Sequence, residues 1–189
     1  MMNRFKQTQV LVGLLGDDDV VIGGIGNTNF DLWASGQRPR NFYMLGSMGL
    51  TSSIALGVAV ARPDTKVFAL EGDGSLLMHL GALGTLAVTG AKNLAIIVWD
   101  NGIYQITGSQ PTMTARGVDL VAIAKGAGIA KSFWAADEGE FEALIRRTLA
   151  EDGPWFIAAK TDGKKPEGVT ERDPTKIKIN FMKGLGVPT

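Results

Sequence analysis

Short apolar runs alternate with longer segments of mixed polarity along most of the chain. The apolar runs predict β-strands at residues 19–23, 66–70, 93–99, 132–136 and 155–160. The mixed segments predict helices at residues 10–15 (the end of a first helix that stops at Gly16), 48–61, 75–89, 118–127, 138–149 and 179–185. Gly90 is a suitable C-cap for the third of these helices. Polar composition predicts loops at residues 37–41 and 100–116.

Strands therefore alternate with helices, and several strands, residues 93–99 above all, are apolar on both faces. Such strands are typical of a parallel sheet that helices cover on both sides. The pattern predicts an α/β fold with a doubly wound parallel sheet, in a single domain of residues 1–189 whose polar C-terminal extension is residues 161–189. Right-handed crossovers place the carboxyl ends of all strands at one edge of the sheet, where ligands bind.

Composition narrows the possible functions. The 189 residues suffice for one domain with a proper core, and the formal net charge of zero indicates neither nucleic acid nor a membrane surface as a partner. The absence of cysteine excludes disulfides, zinc–thiolate sites, iron–sulfur clusters and cysteine nucleophiles within this chain. The single histidine, His79, excludes a histidine-rich metal site. No visible signal peptide or membrane-spanning run is present, so the sequence predicts a cytoplasmic protein.

Two short glycine-containing motifs follow successive predicted strands. Gly72-Asp73-Gly74-Ser75 comes after the second strand, and Asp100-Asn101-Gly102 comes after the third. Either motif alone is usually a turn, but consecutive parallel strands bring both to the same edge of the sheet. Asp73, Asn101 and a backbone carbonyl such as that of Ile103 are the hard oxygen ligands that Mg²⁺ prefers. Ser75 opens the next predicted helix, whose N-terminus favours an anion, so the pair predicts a Mg²⁺-bridged diphosphate.

The same motifs resemble the signature of the thiamine diphosphate enzyme family: Gly-Asp-Gly, a spacer that here has 25 residues, and Asp100-Asn101 where the family has Asn-Asn. The departure is mild because the second Asn is the metal ligand of the family. The resemblance implies a thiamine diphosphate-binding fold with Mg²⁺ bound by Asp73, Asn101 and Ile103. The cofactor-binding residues that it implies are Asn27, Thr28, Gly46, Ser47, Met48, Gly72, Asp73, Gly74, Ser75, Asn101, Ile103 and Tyr104.

Two of those residues are given catalytic roles by the resemblance. The carbonyl of Gly46 would accept a hydrogen bond from the 4′-amino group of the aminopyrimidine, and Met48 would be the apolar wedge that bends the cofactor into a V shape. Enzymes of this family also need a glutamate on N1′ of the pyrimidine, which a separate pyrimidine-binding domain supplies. Glu71 is expected to be a strand-end residue that faces loop or solvent. The resemblance therefore implies a hetero- or homo-oligomer with a pyrimidine-binding α subunit or an equivalent domain.

Residues 100–112 and 46–57 further resemble the decarboxylases of this family that act on 3-sulfopyruvate or 3-phosphonopyruvate. The implied reaction converts a small 2-oxoacid to an aldehyde and carbon dioxide. Two alternatives stay open: the catalytic half of an acetolactate-synthase-like carboligase, and a non-catalytic thiamine diphosphate-binding module. Arg38 and Arg40 could attract the anionic substituent or could simply be solvated. His79 could face the partner or the cofactor, or could pack within the protein.

Overall fold

The computed structural model describes residues 1–189. Six parallel strands form the main sheet in the order β2-β1-β3-β4-β8-β7, and β5 and β6 form a separate antiparallel pair. In chain order the strands β1 to β8 are Val20–Gly23, Asn41–Tyr43, Val67–Gly72, Leu94–Asp100, Ile103–Tyr104, Gln110–Pro111, Lys131–Ala135 and Trp155–Lys160. The predicted parallel α/β fold is therefore confirmed, and the five predicted strands are all present.

Eight α-helices connect and cover the strands. In chain order α1 to α8 are Arg4–Leu14, Asn27–Ala34, Thr51–Ala61, Asp73–Leu77, Ala82–Thr89, Leu120–Gly126, Glu138–Ala150 and Pro174–Gly184. A 3-10 turn spans Met113–Arg116. None of the helices is long and apolar enough to cross a membrane, and the expectation of a cytoplasmic location stays a prediction.

Alternating side chains of the central strands build two cores, one on each face of the sheet. On β3, Val67 and Ala69 pack into the core that includes residues of α3, α5 and α6, whereas Phe68 and Leu70 pack into the core that includes residues of α1, α2 and α7. All four of these side chains are buried. Helix α8 contributes to both cores at the β2 side of the sheet. This double burial explains why the central strands are apolar at every position before their carboxyl ends.

The structure differs from the sequence-based prediction in several connections. Helix α2 and strand β2 were not predicted, and Asn41, which was assigned to a loop, begins β2. The helix predicted at residues 75–89 is divided into α4 and α5, because the chain between them makes i→i−3 hydrogen bonds such as that from the N–H of His79 to the carbonyl of Leu76. Gly81 and Gly84 lower helix propensity in this segment.

The C-terminal part of the chain is more ordered than its polar composition suggests. Helix α8 begins at Pro174 rather than at residue 179, because Asp173 caps its N-terminus and proline suits the first helical position. Before α8, residues 161–173, here called the C-terminal segment, lie against α1 and α2. The Asn3 side chain donates to the Asp162 carboxylate at 2.9 Å, and Arg4 donates to the carbonyl of Lys164 at 3.1 Å.

Candidate cofactor and metal site

A cleft of about 890 Å³ lies beyond the carboxyl ends of the central strands. Most of the predicted site residues line it, namely Asn27, Thr28, Met48, Gly72, Asp73, Gly74, Ser75, Asn101, Ile103 and Tyr104. Gly46 and Ser47 are exposed on the loop between two lining residues, Leu45 and Met48. The structure therefore gathers residues from four separate parts of the sequence at one edge of the sheet.

The two glycine-containing motifs lie side by side because β3 and β4 are adjacent and in register. Gly72 pairs with Trp99 across these two strands, so the next residues, Asp73 and Asp100, lie next to each other at the carboxyl edge of the sheet. Asp73 begins the short helix α4, and Asn101 directly follows β4. This arrangement is the one expected from consecutive parallel strands.

Two threonines that sequence reasoning missed hold the carboxylate of Asp73. The hydroxyl of Thr112 donates to Asp73 Oδ2 at 2.6 Å, and the Thr114 hydroxyl lies 2.9 Å from the same oxygen. Asp73 is 2% exposed. Burial raises the pKa of Asp73, the Thr112 hydrogen bond opposes this, and the nearby Asp100 carboxylate raises it further. A bound divalent cation would offset both unfavourable contributions.

Asp100, which stands where the family signature has asparagine, is a buried and paired carboxylate. Lys160 places its ammonium 2.5 Å from Asp100 Oδ2, and Asp100 Oδ1 accepts hydrogen bonds from the Thr114 hydroxyl and the Gly102 N–H. Asp100 and Lys160 are register partners on β4 and β8. The negative charge of Asp100 is thus balanced by the positive charge of Lys160 within the chain.

A hydrogen bond joins the loop that carries Met48 to the Gly-Asp-Gly-Ser motif. The Ser75 hydroxyl accepts from the N–H of Gly49 at 2.9 Å. Gly49 has φ of +93°, and a Cβ there would lie 3.0 Å from the carbonyl oxygen of Ser75, so this position requires glycine. Ser47 also has a positive φ of 58°. Such a conformation in a non-glycine residue is costly and is often retained at functional sites.

Gly74 allows close packing of the loop that follows the Asp100-Asn101-Gly102 motif. A Cβ at Gly74 would collide with the ring of Tyr104 and would lie 3.0 Å from the Thr112 methyl group. Tyr104 belongs to β5, which pairs with β6 inside the loop predicted at residues 100–116. The glycine therefore lets this small hairpin, and the threonines after it, close over Asp73.

Glu71 does not face loop or solvent, and that expectation was wrong. Its side chain is 0% exposed and does not line the cleft. Thr51, the first residue of α3, donates its hydroxyl to Glu71 Oε1 at 3.1 Å. Burial raises the pKa of Glu71 to about 7, against the smaller opposing effect of hydrogen bonds from residues that include Ser75 and Thr51. No local pattern indicates this burial, because Thr51 lies 20 positions before Glu71 in the sequence.

We expect the raised pKa of Glu71 to make the metal-free protein less stable as pH rises. The folded form holds the proton up to about pH 7 whereas the unfolded chain loses it near 4.5, so stability is lost across that window, by about 3 kcal/mol. In Glu71→Gln this contribution is absent. Urea unfolding in EDTA at pH 5 and pH 8 measures the change for both proteins. Equal changes in the wild type and the variant would contradict the assignment.

The predicted basic residues lie away from the cleft. Arg38 donates to the backbone carbonyl of Asp19, and Arg40 forms an ion pair with Asp18 at 2.8 Å. These acidic residues precede β1, at the opposite edge of the sheet from the strand ends that form the cleft. The arginines that do line the cleft are Arg4 and Arg172, which sequence reasoning did not single out. No periodicity or motif marks either one.

The oxygen atoms of the cleft fit a hard divalent cation. Asp73 has a carboxylate and Asn101 has an amide, and Ile103, whose backbone carbonyl would be the third ligand, also lines the cleft. No cluster of three or more histidine, cysteine, aspartate or glutamate side chains is present that could hold a metal by itself. One carboxylate with neutral oxygens suits Mg²⁺, which usually takes its remaining ligands from phosphate and water.

Comparisons with known proteins agree with this geometry. Residues 24–159 match the family model for the C-terminal TPP binding domain of thiamine pyrophosphate enzymes. The chain is 38% identical over 184 residues to the β subunit of sulfopyruvate decarboxylase from Methanocaldococcus jannaschii, with 96% of each chain covered. It is 33% identical over 154 residues to phosphonopyruvate decarboxylase from Streptomyces viridochromogenes, which covers 82% of this chain and 38% of that protein.

A solved structure supports the same relationship. The thiamine diphosphate-dependent 4-hydroxybenzoylformate decarboxylase of Rhodococcus jostii RHA1 superposes with a TM-score of 0.73 at 25% identity, over 85% of this chain and 32% of that one. The chain thus spans about a third of that longer protein. The match of the family model over most of the sequence shows that the chain belongs to the thiamine diphosphate enzymes, as their diphosphate-binding domain. The family resemblance drawn from the two glycine-containing motifs is confirmed.

Proposed function

We propose that this chain is the β-type subunit of a thiamine diphosphate- and Mg²⁺-dependent decarboxylase that converts a 3-substituted pyruvate to an aldehyde and carbon dioxide. The observation that carries the proposal is the placement of Asp73 and Asn101 at the ends of adjacent strands, in the cleft that Met48 also lines. The similarity to the sulfopyruvate decarboxylase β subunit over 96% of both chains supports 3-sulfopyruvate as the substrate. The similarity to phosphonopyruvate decarboxylase keeps 3-phosphonopyruvate as the second candidate.

The residues of this chain would bind and orient the cofactor. Bound thiamine diphosphate supplies the electron sink that lets a 2-oxoacid lose carbon dioxide. Asp73, Asn101 and the carbonyl of Ile103 would hold Mg²⁺ against the diphosphate. The apolar side chain of Met48 would support the bent cofactor, and the carbonyl of Gly46 would accept from its 4′-amino group.

Further contacts to the diphosphate come from polar residues around the metal site. Asn27 and Thr28 open α2, and Ser75 lies in α4, with all three lining the cleft. Gly72 and Gly74 keep the backbone of the motif free of side chains, and Tyr104 packs on Gly74. Ser47 would act through the backbone of its turn, because its side chain is exposed outside the cleft lining.

A partner is needed to complete the site. The sole acidic residue that lines the cleft is Asp73, which the metal would occupy, so no carboxylate remains for N1′ of the pyrimidine. Leu45, Leu50 and Met78 are 43%, 38% and 57% exposed, and Met78 and His79 approach the Leu50 loop at Gly49. Exposed apolar side chains of this kind are typical of a protein interface. They fit a pyrimidine-binding α subunit that brings the missing glutamate.

The cleft also offers a cation for an anionic molecule. Arg4 is neutralised by Asp31 at 2.6 Å, whereas Arg172 lines the cleft, is exposed and forms no ion pair. Its guanidinium lies 6.0 Å from the ring of Phe30. Arg172 can therefore attract the diphosphate or the sulfonate, in the role that the sequence suggested for Arg38 and Arg40.

The test compares the chain alone with the chain co-purified with the proposed pyrimidine-binding α subunit. Each is given 3-sulfopyruvate, 3-phosphonopyruvate and pyruvate in separate assays with thiamine diphosphate and Mg²⁺. We expect aldehyde and carbon dioxide from 3-sulfopyruvate, at a rate about 10²–10⁴-fold higher with the α subunit, since that is the usual contribution of a positioned acid or base.

Each other outcome contradicts a stated part of the proposal. Full activity of the chain alone would refute the need for a partner. Acetolactate from pyruvate as the main product would favour the carboligase. Cofactor binding by the complex without turnover of any of these acids would favour the non-catalytic module.

A further inference from the structure

Gln105 joins three parts of the site through one side-chain amide. Its oxygen accepts hydrogen bonds from the side-chain nitrogens of Asn27 at 2.7 Å and Asn101 at 3.3 Å. Its nitrogen donates to the backbone carbonyls of Gly163 at 2.5 Å and Lys164 at 3.2 Å. Gln105 lines the cleft and is half-buried. It thus connects the Asp100-Asn101-Gly102 motif, the start of α2 and the C-terminal segment.

The chemistry of these partners fixes the direction of every amide in the network. Backbone carbonyls can only accept, so the Gln105 nitrogen must face the C-terminal segment and its oxygen must face Asn27 and Asn101. Because that oxygen can also only accept, Asn101 must turn its nitrogen towards Gln105 and its oxygen away. Asn101 Oδ1 then accepts from the N–H of Ile103 at 3.1 Å and keeps a second lone pair.

We propose that Gln105 is a positioning residue that sets the amide orientation of Asn101 and thereby raises the affinity of the site for a divalent cation. The inference rests on the proposed function, since it takes Asn101 as a metal ligand. Residues that orient metal ligands typically contribute about 10–100-fold to metal affinity. Gln105 would act without touching the metal or the substrate itself.

Two substitutions separate this role from a purely structural one. Gln105→Leu removes every hydrogen bond of the amide. Gln105→Glu keeps an oxygen that can accept from Asn101, but its carboxylate cannot donate to the carbonyls of Gly163 and Lys164. If Gln105 only held the C-terminal segment in place, both variants would lose metal affinity to the same extent. If it orients Asn101, the glutamate variant retains metal affinity.

The experiment titrates Mn²⁺ into the full chain with saturating thiamine diphosphate and measures free Mn²⁺ by electron paramagnetic resonance. We expect Gln105→Leu to weaken Mn²⁺ binding by about 10-fold or more. We expect Gln105→Glu to stay within about threefold of the wild type, since its added negative charge also favours the cation. Gln110→Leu is the matched control, because Gln110 also lines the cleft but its side chain hydrogen-bonds only to Thr107.

The outcomes distinguish failure of this inference from failure of the proposed function. Equal Mn²⁺ affinity of wild type and Gln105→Leu would overturn the positioning role, and so would equal losses in the leucine and glutamate variants. Wild-type protein that binds no Mn²⁺ in the presence of the cofactor would overturn the proposed metal site itself. Asp73→Ala in the same titration gives the reference value for a lost ligand.

Discussion

Replacing Asp73 by alanine is expected to abolish the Mg²⁺-dependent part of thiamine diphosphate binding. Asp73 is the sole carboxylate in the cleft lining, and without it the metal would keep one amide and one carbonyl as protein ligands. Loss of residues that merely orient metal ligands costs about 10–100-fold, so loss of the charged ligand should exceed about 100-fold. Calorimetric titration of the cofactor with Mg²⁺ and with EDTA measures the difference.

Two further variants make that result interpretable. Asp64→Ala removes an exposed carboxylate far from the cleft and should leave cofactor affinity unchanged. Asp73→Asn keeps an acceptor for Thr112 and removes the charge, and it should fold at least as stably as the wild type without metal because burial disfavours the Asp73 carboxylate. Unchanged Mg²⁺-dependent affinity in the alanine variant would show that Asp73 is not a metal ligand.

The largest loss of stability is expected from Asp31→Ala. Asp31 and Arg4 are 0% and 3% exposed, and Arg4 Nε lies 2.6 Å from Asp31 Oδ2. The other oxygen of Asp31 accepts from the N–H of Glu167 at 3.2 Å, which ties α2 to the C-terminal segment. Removal of one partner leaves a buried uncompensated charge, so we expect the free energy of unfolding to fall by about 3–5 kcal/mol.

Urea unfolding of three variants tests the burial argument. Glu142 and Arg146 form an exposed ion pair at 2.7 Å on α7, and Arg146→Ala should cost at most about 0.5 kcal/mol. The double variant Arg4→Leu/Asp31→Leu should recover part of the loss, since no unpaired charge remains. A fall of less than about 1 kcal/mol in the free energy of unfolding of Asp31→Ala would contradict the burial argument, because it would mean that water solvates Arg4.

The fold was predictable where the chain has long periodic or apolar segments. Strands β3, β4 and β8 are runs of apolar residues too short for helices, so the sequence predicts them as strands. Their alternation with helices predicts a parallel sheet. Strand β2 has three residues, Asn41–Tyr43, too few for a pattern, and is recognisable only from its pairing with β1. Helix α2 begins with Asn27 and Thr28, residues that favour turns as much as helix starts.

The site was predictable to the extent that its residues follow strand ends. Asp73 and Asn101 meet because β3 and β4 are adjacent, which chain order alone suggests. Thr112 and Thr114 reach Asp73 only because the small β5–β6 hairpin folds back, and no local pattern predicts that path. The sequence predicts Lys160 only as the end of a strand. Its pairing with Asp100 could not be predicted, because it depends on the adjacency of β4 and β8 in the sheet.

The hydrogen bond from the Gly49 N–H to the Ser75 hydroxyl means that the two ends of the coenzyme would not be held independently in the proposed site. A shift of the Gly-Asp-Gly-Ser motif would displace the loop that carries Met48, and in the proposed site this would alter the bend of the coenzyme. Transfer of the proposed coenzyme site to another scaffold would therefore require both segments to be moved together. A change in the bend of the coenzyme that leaves its diphosphate binding intact would first require the removal of this hydrogen bond.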